Sequence, residues 1–378
     1  MRRLLLFVSA VVLVDSALFG VIAPLLPYYT EELGLSKTEA GVLVAAYPAG
    51  VFICSFPAGW AVARFGPRPG AIVGLALLAG ASLVFGLARE IVVLDAARFV
   101  QGAGSALSWT AGLAWLSRES PAKRRGELLG TAFSAALAGS LIGPALGAAA
   151  RGLDPAIVFG IAAALSAAMI GWALRVPAPP ATHIEAGWTA ALRERALLPG
   201  AAVILAVGLY FGVVEVLAPL QLDGLGAGGA AIGGAFALAA VLEGVLGNPI
   251  GRLTDRVGAI GPVRVSLLAG AVLAVLFPLP TAVPLLVVLI ALSGPLEGGL
   301  FIPGMKLLAD GAERAGLDQG YGFAVFNLTW ALTTAAGAAG AGAISDAAGD
   351  QAAYLTLAAV MVLALAVSLR PQPGPKRA

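Results

Sequence analysis

Apolar runs of about twenty residues, parted by short polar or Gly/Pro-rich turns, recur along the whole chain. A helix needs ~20 apolar residues to cross a bilayer, because the hydrocarbon offers its backbone no water to bond. The pattern predicts twelve such helices, at 4–27, 38–60, 70–88, 91–115, 127–150, 155–174, 197–220, 229–250, 263–281, 284–307, 321–345 and 351–369. The first run begins like a secretory signal, Met1-Arg2-Arg3. It continues past Asp15 to Pro27 with no small-x-small cleavage site, and so reads as helix 1.

Composition agrees. Of 378 residues, 59% are hydrophobic and 12% charged, against about 25% charged in soluble domains. Twelve spans consume about 240 residues, which leaves short loops and no room for a soluble domain. With both termini on one side, nineteen of the 23 Lys and Arg fall on that side; Lys37, Arg89 and Arg151 fall on the other, and Arg98 lies within the membrane. That bias predicts cytoplasmic termini in the inner (plasma) membrane of a cell. The longest connection, 176–196, is Pro-rich and carries His183 and Trp188. It separates an N-terminal bundle at 1–175 from a C-terminal bundle at 197–378.

The halves repeat each other. Pro57, Gly59, Arg64 and Gly66 recur as Pro249, Gly251, Arg256 and Gly258, and Pro27 recurs as Pro219, all at an offset of 192. A duplicated six-helix unit places a binding site between the repeats near the bilayer midplane. The fold class expected is all-α integral membrane, twelve helices in two pseudo-symmetric six-helix bundles.

Polar residues inside the spans carry the candidate chemistry. On helix 4, Arg98, Gln101, Gly102, Ser105 and Trp109 share one face. A guanidinium at bilayer depth costs at least ~2.5–3.5 kcal/mol, so Arg98 is expected to face protein or water and meet a carboxylate. Four acids lie in spans: Asp15, Glu215, Glu243 and Glu297. Asp15 and Glu297 fall about 16 and 20 Å along their helices, near mid-bilayer. The single histidine is in a loop, which leaves these acids as the groups able to carry protons at depth. Glu215, near a helix end, also fits a contact with headgroups, and Glu243 also fits a brace for the adjacent loop. Phe323, Phe326, Asn327 and Trp330 form a stripe on helix 11 suited to a flat apolar or cationic ligand. Tyr47, Trp109 and Tyr210 are weaker candidates of that kind. Gly139, Gly143, Pro144 and Gly147 on helix 5 suit close helix approach and a bend.

These residues resemble the major facilitator superfamily over the whole chain. Gly251-Arg-Leu-Thr-Asp255-Arg256-Val-Gly258 looks like its hallmark cytoplasmic loop; Arg98, Gln101, Gly102 and Gly104 look like its proton-coupling signature; and Gly139 to Gly147 looks like its antiporter signature. Within the family the chain is most similar to twelve-span drug:proton antiporters and to vesicular amine transporters, through Asp15, Glu215 and Glu297. It departs from them at Ala63, where the first-half loop usually has an acid, and at Tyr47 and Asn327, where amine transporters have a lysine and an acid.

The resemblance implies a proton-coupled antiporter that exports small organic, lipophilic molecules, cations among them. Protons would couple through Asp15, Glu215, Glu297, Arg98 and Glu243. Substrate would meet Tyr47, Gln101, Trp109, Tyr210, Phe323, Phe326, Asn327 and Trp330. Gates would use Gly59, Arg64, Gly251, Asp255, Arg256 and the helix 5 motif. Rival readings are a symporter or uniporter on the same fold and a non-transporting membrane sensor. No phosphate-binding loop, Cys/His cluster or nucleophile constellation occurs, so no enzyme, cofactor, metal or nucleic-acid role is expected. The partners expected are a small-molecule substrate, protons and the lipid bilayer, with the chain a monomer.

Overall fold

A computed structural model describes residues 1–121, 124–177, 194–317 and 319–369, except the side chains of 125, 126, 319–321 and 323. His183, Trp188 and most of the 176–196 linker lie outside the described residues, as does the side chain of Phe323. The described residues form twelve long helices. Helix 1 has two segments, Arg2–Gly20 and Ile22–Leu33. Helices 2 to 6 are Lys37–Phe65, Pro67–Leu87, Ile91–Glu119, Arg125–Leu153 and Pro155–Ala173. Helices 7 to 12 are Leu198–Gly224, Gly229–Val257, Ile260–Leu276, Val283–Arg314, Gln319–Ala348 and Asp350–Ser368. Among the described residues, nine are long and apolar enough to cross a membrane; helix 9 is apolar but shorter.

Local chemistry sets the ends. Ser36 caps helix 2 in a capping box with Glu39. Gly34, at φ 64°, closes helix 1 with its N–H on the Thr30 carbonyl. Helix 9 was expected to reach residue 281 but stops at Leu276, because Pro278 and Pro280 cannot continue a helix. Helix 1 breaks at Val21. Pro24 has no N–H for the Gly20 carbonyl and its ring crowds that turn.

The repeat is visible in three dimensions. Gly66 and Gly258 end helices 2 and 8 with nearly the same backbone angles, φ 90°, ψ 167° and φ 84°, ψ 164°. Arg68 donates to the Val176 carbonyl after helix 6, and Arg264 donates to the Ser368 carbonyl at the end of helix 12. Helix 1 packs on 5, 2 on 4 and 3 on 6; helix 7 packs on 11, 8 on 10 and 9 on 12. The two bundles meet where helix 2 crosses helix 11 and helix 5 crosses helix 8. The face bearing Arg64 and Asp255 is called the inner face below, and the opposite one the outer face.

Among the described residues, both ion pairs between the bundles lie at the outer face: Lys37 with Asp350, and Arg151 with Asp223 at 2.7 Å. Arg151 also reaches Glu31 at 3.5 Å. Asp346 of helix 11 accepts from the backbone N–H groups of Lys37 and Thr38 at 3.2 and 2.7 Å. A carboxylate of one bundle thus caps the first turn of a helix in the other, where the helix dipole favours negative charge. The bundles are closed on this face.

Candidate functional site

Asp15 sits near the middle of helix 1, toward the end of its first segment, and is 4% exposed. Its Oδ1 accepts from the Tyr47 hydroxyl at 2.9 Å. Its Oδ2 accepts from the Ser105 hydroxyl at 2.8 Å and the Trp109 indole N–H at 2.6 Å. Helices 2 and 4 supply these donors. They approach each other closely because Gly50 and Gly102 present no side chain: a Cβ on Gly102 would stand 2.0 Å from the Tyr47 carbonyl oxygen. The glycines therefore place the Tyr47 hydroxyl and the helix 4 donors on the same carboxylate.

Arg98 is fully buried and does not pair with a carboxylate as expected. It donates to the Leu18 carbonyl at 3.0 Å, the Phe19 carbonyl at 3.4 Å and Gln101 Oε1 at 3.0 Å. The break in helix 1 explains this, since carbonyls beside a kink tilt out of the helix and become available as acceptors. Gln101 passes the network on to Ser82 of helix 3 at 3.0 Å. The guanidinium also lies 4.7 Å from the centre of the Tyr47 ring, a cation–π contact in a buried site. Its Nε has no partner.

The acids of the second half have different surroundings. Glu215 is buried and its Oε2 has no hydrogen-bond partner, although its charge and that of Arg98 act on one another. Glu243 and Glu297 are half-buried neighbours on helices 8 and 10 whose charges interact. A Cβ on Gly298 would lie 3.4 Å from Glu243 Cγ, so the Glu243 side chain runs along helix 10. Tyr210 is fully buried, with its hydroxyl 2.7 Å from Ser293 Oγ. Phe326 is buried edge-on to Phe301, with centroids 4.9 Å apart; Asn327 is exposed and Trp330 half-buried.

An aromatic cluster joins the bundles beside these groups. Phe19 of helix 1 lies 5.3 Å from Tyr47, 5.4 Å from Trp330 and 5.7 Å from Phe211, the last pair stacked. The sequence reading missed Phe19 and Phe211. A signal was present, because 211 minus 19 is the same 192 that relates the loop motifs. It also missed the outer-face roles of Arg151, Asp223 and Asp346, which depend on which loops meet across the bundles.

The helix 5 motif has two faces. Gly139, Gly143 and Gly147 seat helix 1, where an added Cβ would stand 2.3, 2.7 and 2.2 Å from the carbonyl oxygens of Leu13, Ala17 and Val21. Pro144 Cδ lies against Gly20 at the helix 1 break, and the Pro144 carbonyl lies against Gly233 of helix 8. In the loop motifs, Arg64, Asp255 and Arg256 are exposed, Gly59 and Gly251 half-buried, and Asp255 pairs with Lys306 of its own bundle at 3.3 Å.

Two six-helix bundles related by an internal repeat, with ionisable groups gathered between and within them at membrane depth, define a polytopic helical membrane protein of the secondary-transporter type. The chain matches the Major Facilitator Superfamily over residues 6–316 and 223–378, and it belongs to that family. It is 32% identical over 138 residues to the MFS-type transporter ppzB of Metarhizium rileyi, covering 35% of this chain and 29% of that protein. It is 27% identical over 147 residues to multidrug resistance protein 2 of Bacillus subtilis, covering 39% and 37%. It is 32% identical over 156 residues to the probable vesicular acetylcholine transporter-B of Danio rerio, covering 39% and 32%. These matches span about a third of the relatives' length. Among solved structures, a bacterial homologue of the human lysosomal transporter Spinster superposes with a TM-score of 0.79 over 97% of this chain and 96% of that one, at 13% identity. A POT family transporter in complex with 5-aminolevulinic acid superposes at 0.77 over 97% and 95%, at 16% identity. These two likenesses are of fold.

Proposed function

We propose that this chain is a proton-coupled antiporter of a cell's plasma membrane, with cytoplasmic termini, exporting small lipophilic organic molecules, cations among them. One observation carries the reading: a carboxylate at mid-helix, Asp15, sits in a cage of donors, and Phe19 of the same helix stacks on Phe211 of the other bundle. A buried carboxylate that alternates between bare and protonated forms changes its hydrogen bonds each time, and so couples a proton to the arrangement of helices 1, 2 and 4. Glu215, Glu243 and Glu297 supply negative charge on the other side of the pathway, which favours protons and organic cations over anions. The aromatic surfaces of Phe19, Phe211 and Trp330 suit a flat apolar or cationic guest. The names of relatives concerned with multidrug resistance and acetylcholine support the same class of cargo. The outer-face contacts act as the gate that opens to release it.

The test uses the purified full-length chain in liposomes with an imposed pH gradient and ethidium or tetraphenylphosphonium as probe. Antiport predicts probe movement against the proton flux that Asp15→Asn and Glu297→Gln abolish. Movement of probe and protons in the same direction sinks antiport in favour of symport. Gradient-driven exchange by both variants equal to that of the unsubstituted protein at every pH removes the carriers assigned here.

A further inference from the structure

We infer that Trp109 is the exchangeable donor of the Asp15 carboxylate: its indole N–H leaves Oδ2 when Asp15 takes up a proton, and its departure opens the carboxyl group to water. The inference rests on reading Asp15 as a proton carrier and assigns the residue that gates it. Three donors meet the two oxygens, and two of them, Ser105 and Trp109, converge on Oδ2. The donors differ in kind. A serine or tyrosine hydroxyl rotates and becomes an acceptor, whereas an indole N–H only donates. When a proton from water binds Oδ2, the Ser105 hydroxyl can turn to accept it, but the Trp109 N–H is left facing another hydrogen and must move.

Access favours that oxygen. Tyr47 and Ser105 are 2% and 5% exposed, while Trp109 is half-buried and is the one donor with a partly open side. Its ring rests on Phe133 of helix 5 at a centroid distance of 5.9 Å and a tilt of 56°, an apolar contact that permits movement without stranding a polar group. Few other charges face Asp15. Helix 4 brings Arg98, whose charge acts on it, and helix 7 brings Glu215, which acts on Arg98. Helix 2 brings the neutral Tyr47. Helix 5 carries its acids and bases near its ends, and Pro155–Ala173 of helix 6 has none. Besides burial, the side chains that act on the Asp15 charge are its three donors and Arg98.

The experiment is pH-difference infrared spectroscopy of the full-length protein in lipid nanodiscs, with tryptophan fluorescence recorded on the same samples. The protonated carboxyl band lost in Asp15→Asn belongs to Asp15. Trp109→Phe keeps the ring and removes the donor, so the midpoint of that band moves up by about one pH unit, the weight of one hydrogen bond to a charged acceptor. A fluorescence step with the same midpoint is expected in the unsubstituted protein and in Ser105→Ala, and is absent from Trp109→Phe and Asp15→Asn. An Asp15 band whose midpoint Trp109→Phe leaves unmoved, or a fluorescence step that survives Asp15→Asn, overturns the inference alone. If Asp15→Asn removes no band between pH 4 and pH 9, the reading of Asp15 as proton carrier falls, and this inference with it. Ser105→Ala keeps the fluorescence arm informative if Trp109→Phe does not fold.

Discussion

The carboxylates of the two halves are alike in chemistry and opposite in surroundings. Asp15 accepts three hydrogen bonds from three side chains on helices 2 and 4. Glu215 leaves an oxygen with no partner, and Glu243 and Glu297 face each other. A carboxylate ringed by donors is solvated by the protein and can stay charged while buried. One without donors needs a proton, a cation or water to complete it. Asp15 thus has donors in place for its bare form, whereas the orphaned oxygen of Glu215 has none.

The largest expected effect separates the two kinds of acid directly. Asp15→Asn strands at least one donor of the cage and should cost ~1–3 kcal/mol of stability, as well as proton-driven exchange. Glu215→Gln breaks no hydrogen bond to the orphaned oxygen and should leave the melting temperature unchanged or raised. Thermal unfolding of both variants in detergent checks this, and equal losses for the two would erase the contrast. Next, Gly143→Val drives a side chain into the Ala17 carbonyl and lifts helix 1, and with it Asp15, off helix 5. Overpacking of this kind costs ~1–3 kcal/mol. Gly130→Ala on the same helix meets nothing within 4 Å and should stabilise by up to ~1 kcal/mol through helix propensity.

Arg98→Lys tests whether charge alone suffices in the first half. It keeps the cation and loses the fork that spans the Leu18 and Phe19 carbonyls, and a loss of ~1 kcal/mol of stability, the net weight of one hydrogen bond, is expected with a distorted helix 1 break. Unfolding midpoints, together with exchange rates of the amide protons of residues 20–23, measure it. The smallest effect concerns the outer face. Hydrogen bonding from the Thr38 hydroxyl holds the Asp346 carboxyl, which lies beyond the span expected at 321–345, below its ordinary value of 3.8. A lowered value means that the contact is fully present above the ordinary value and is lost as pH falls through the lower, folded one. Spin labels at Glu32 and Ala347, both exposed, should therefore keep a constant separation from pH 8 to pH 5 and part only in stronger acid. Asp346→Asn should widen that distance at neutral pH.

Much of the fold was legible because a bilayer imposes its demand locally. Each span had to be about twenty apolar residues long, so composition and turns located the twelve helices, although helices 1, 8 and 10 run to Leu33, Val257 and Arg314, past their expected ends, and helix 9 stops short at Leu276. Gly66 and Gly258, repeated at a constant offset, announced a conformation that both then adopted. Asp15, Ser105 and Trp109 were recognisable as misfits in lipid. Their convergence on one carboxylate was not, because it depends on how closely helices 2 and 4 approach.

Sequence by itself therefore determined which residues lipid would reject, how many helices there are and that the halves are copies, since each follows from spacing along one chain. Tertiary structure alone decided the partners. Arg98 took the carbonyls of a proline-kinked helix in place of an acid, Phe19 met Phe211, and Asp346 capped a helix of the other bundle. Hydrogen bonds and ring contacts are settled over a few ångströms in three dimensions, and chain separations of eighty to more than three hundred residues do not encode those distances.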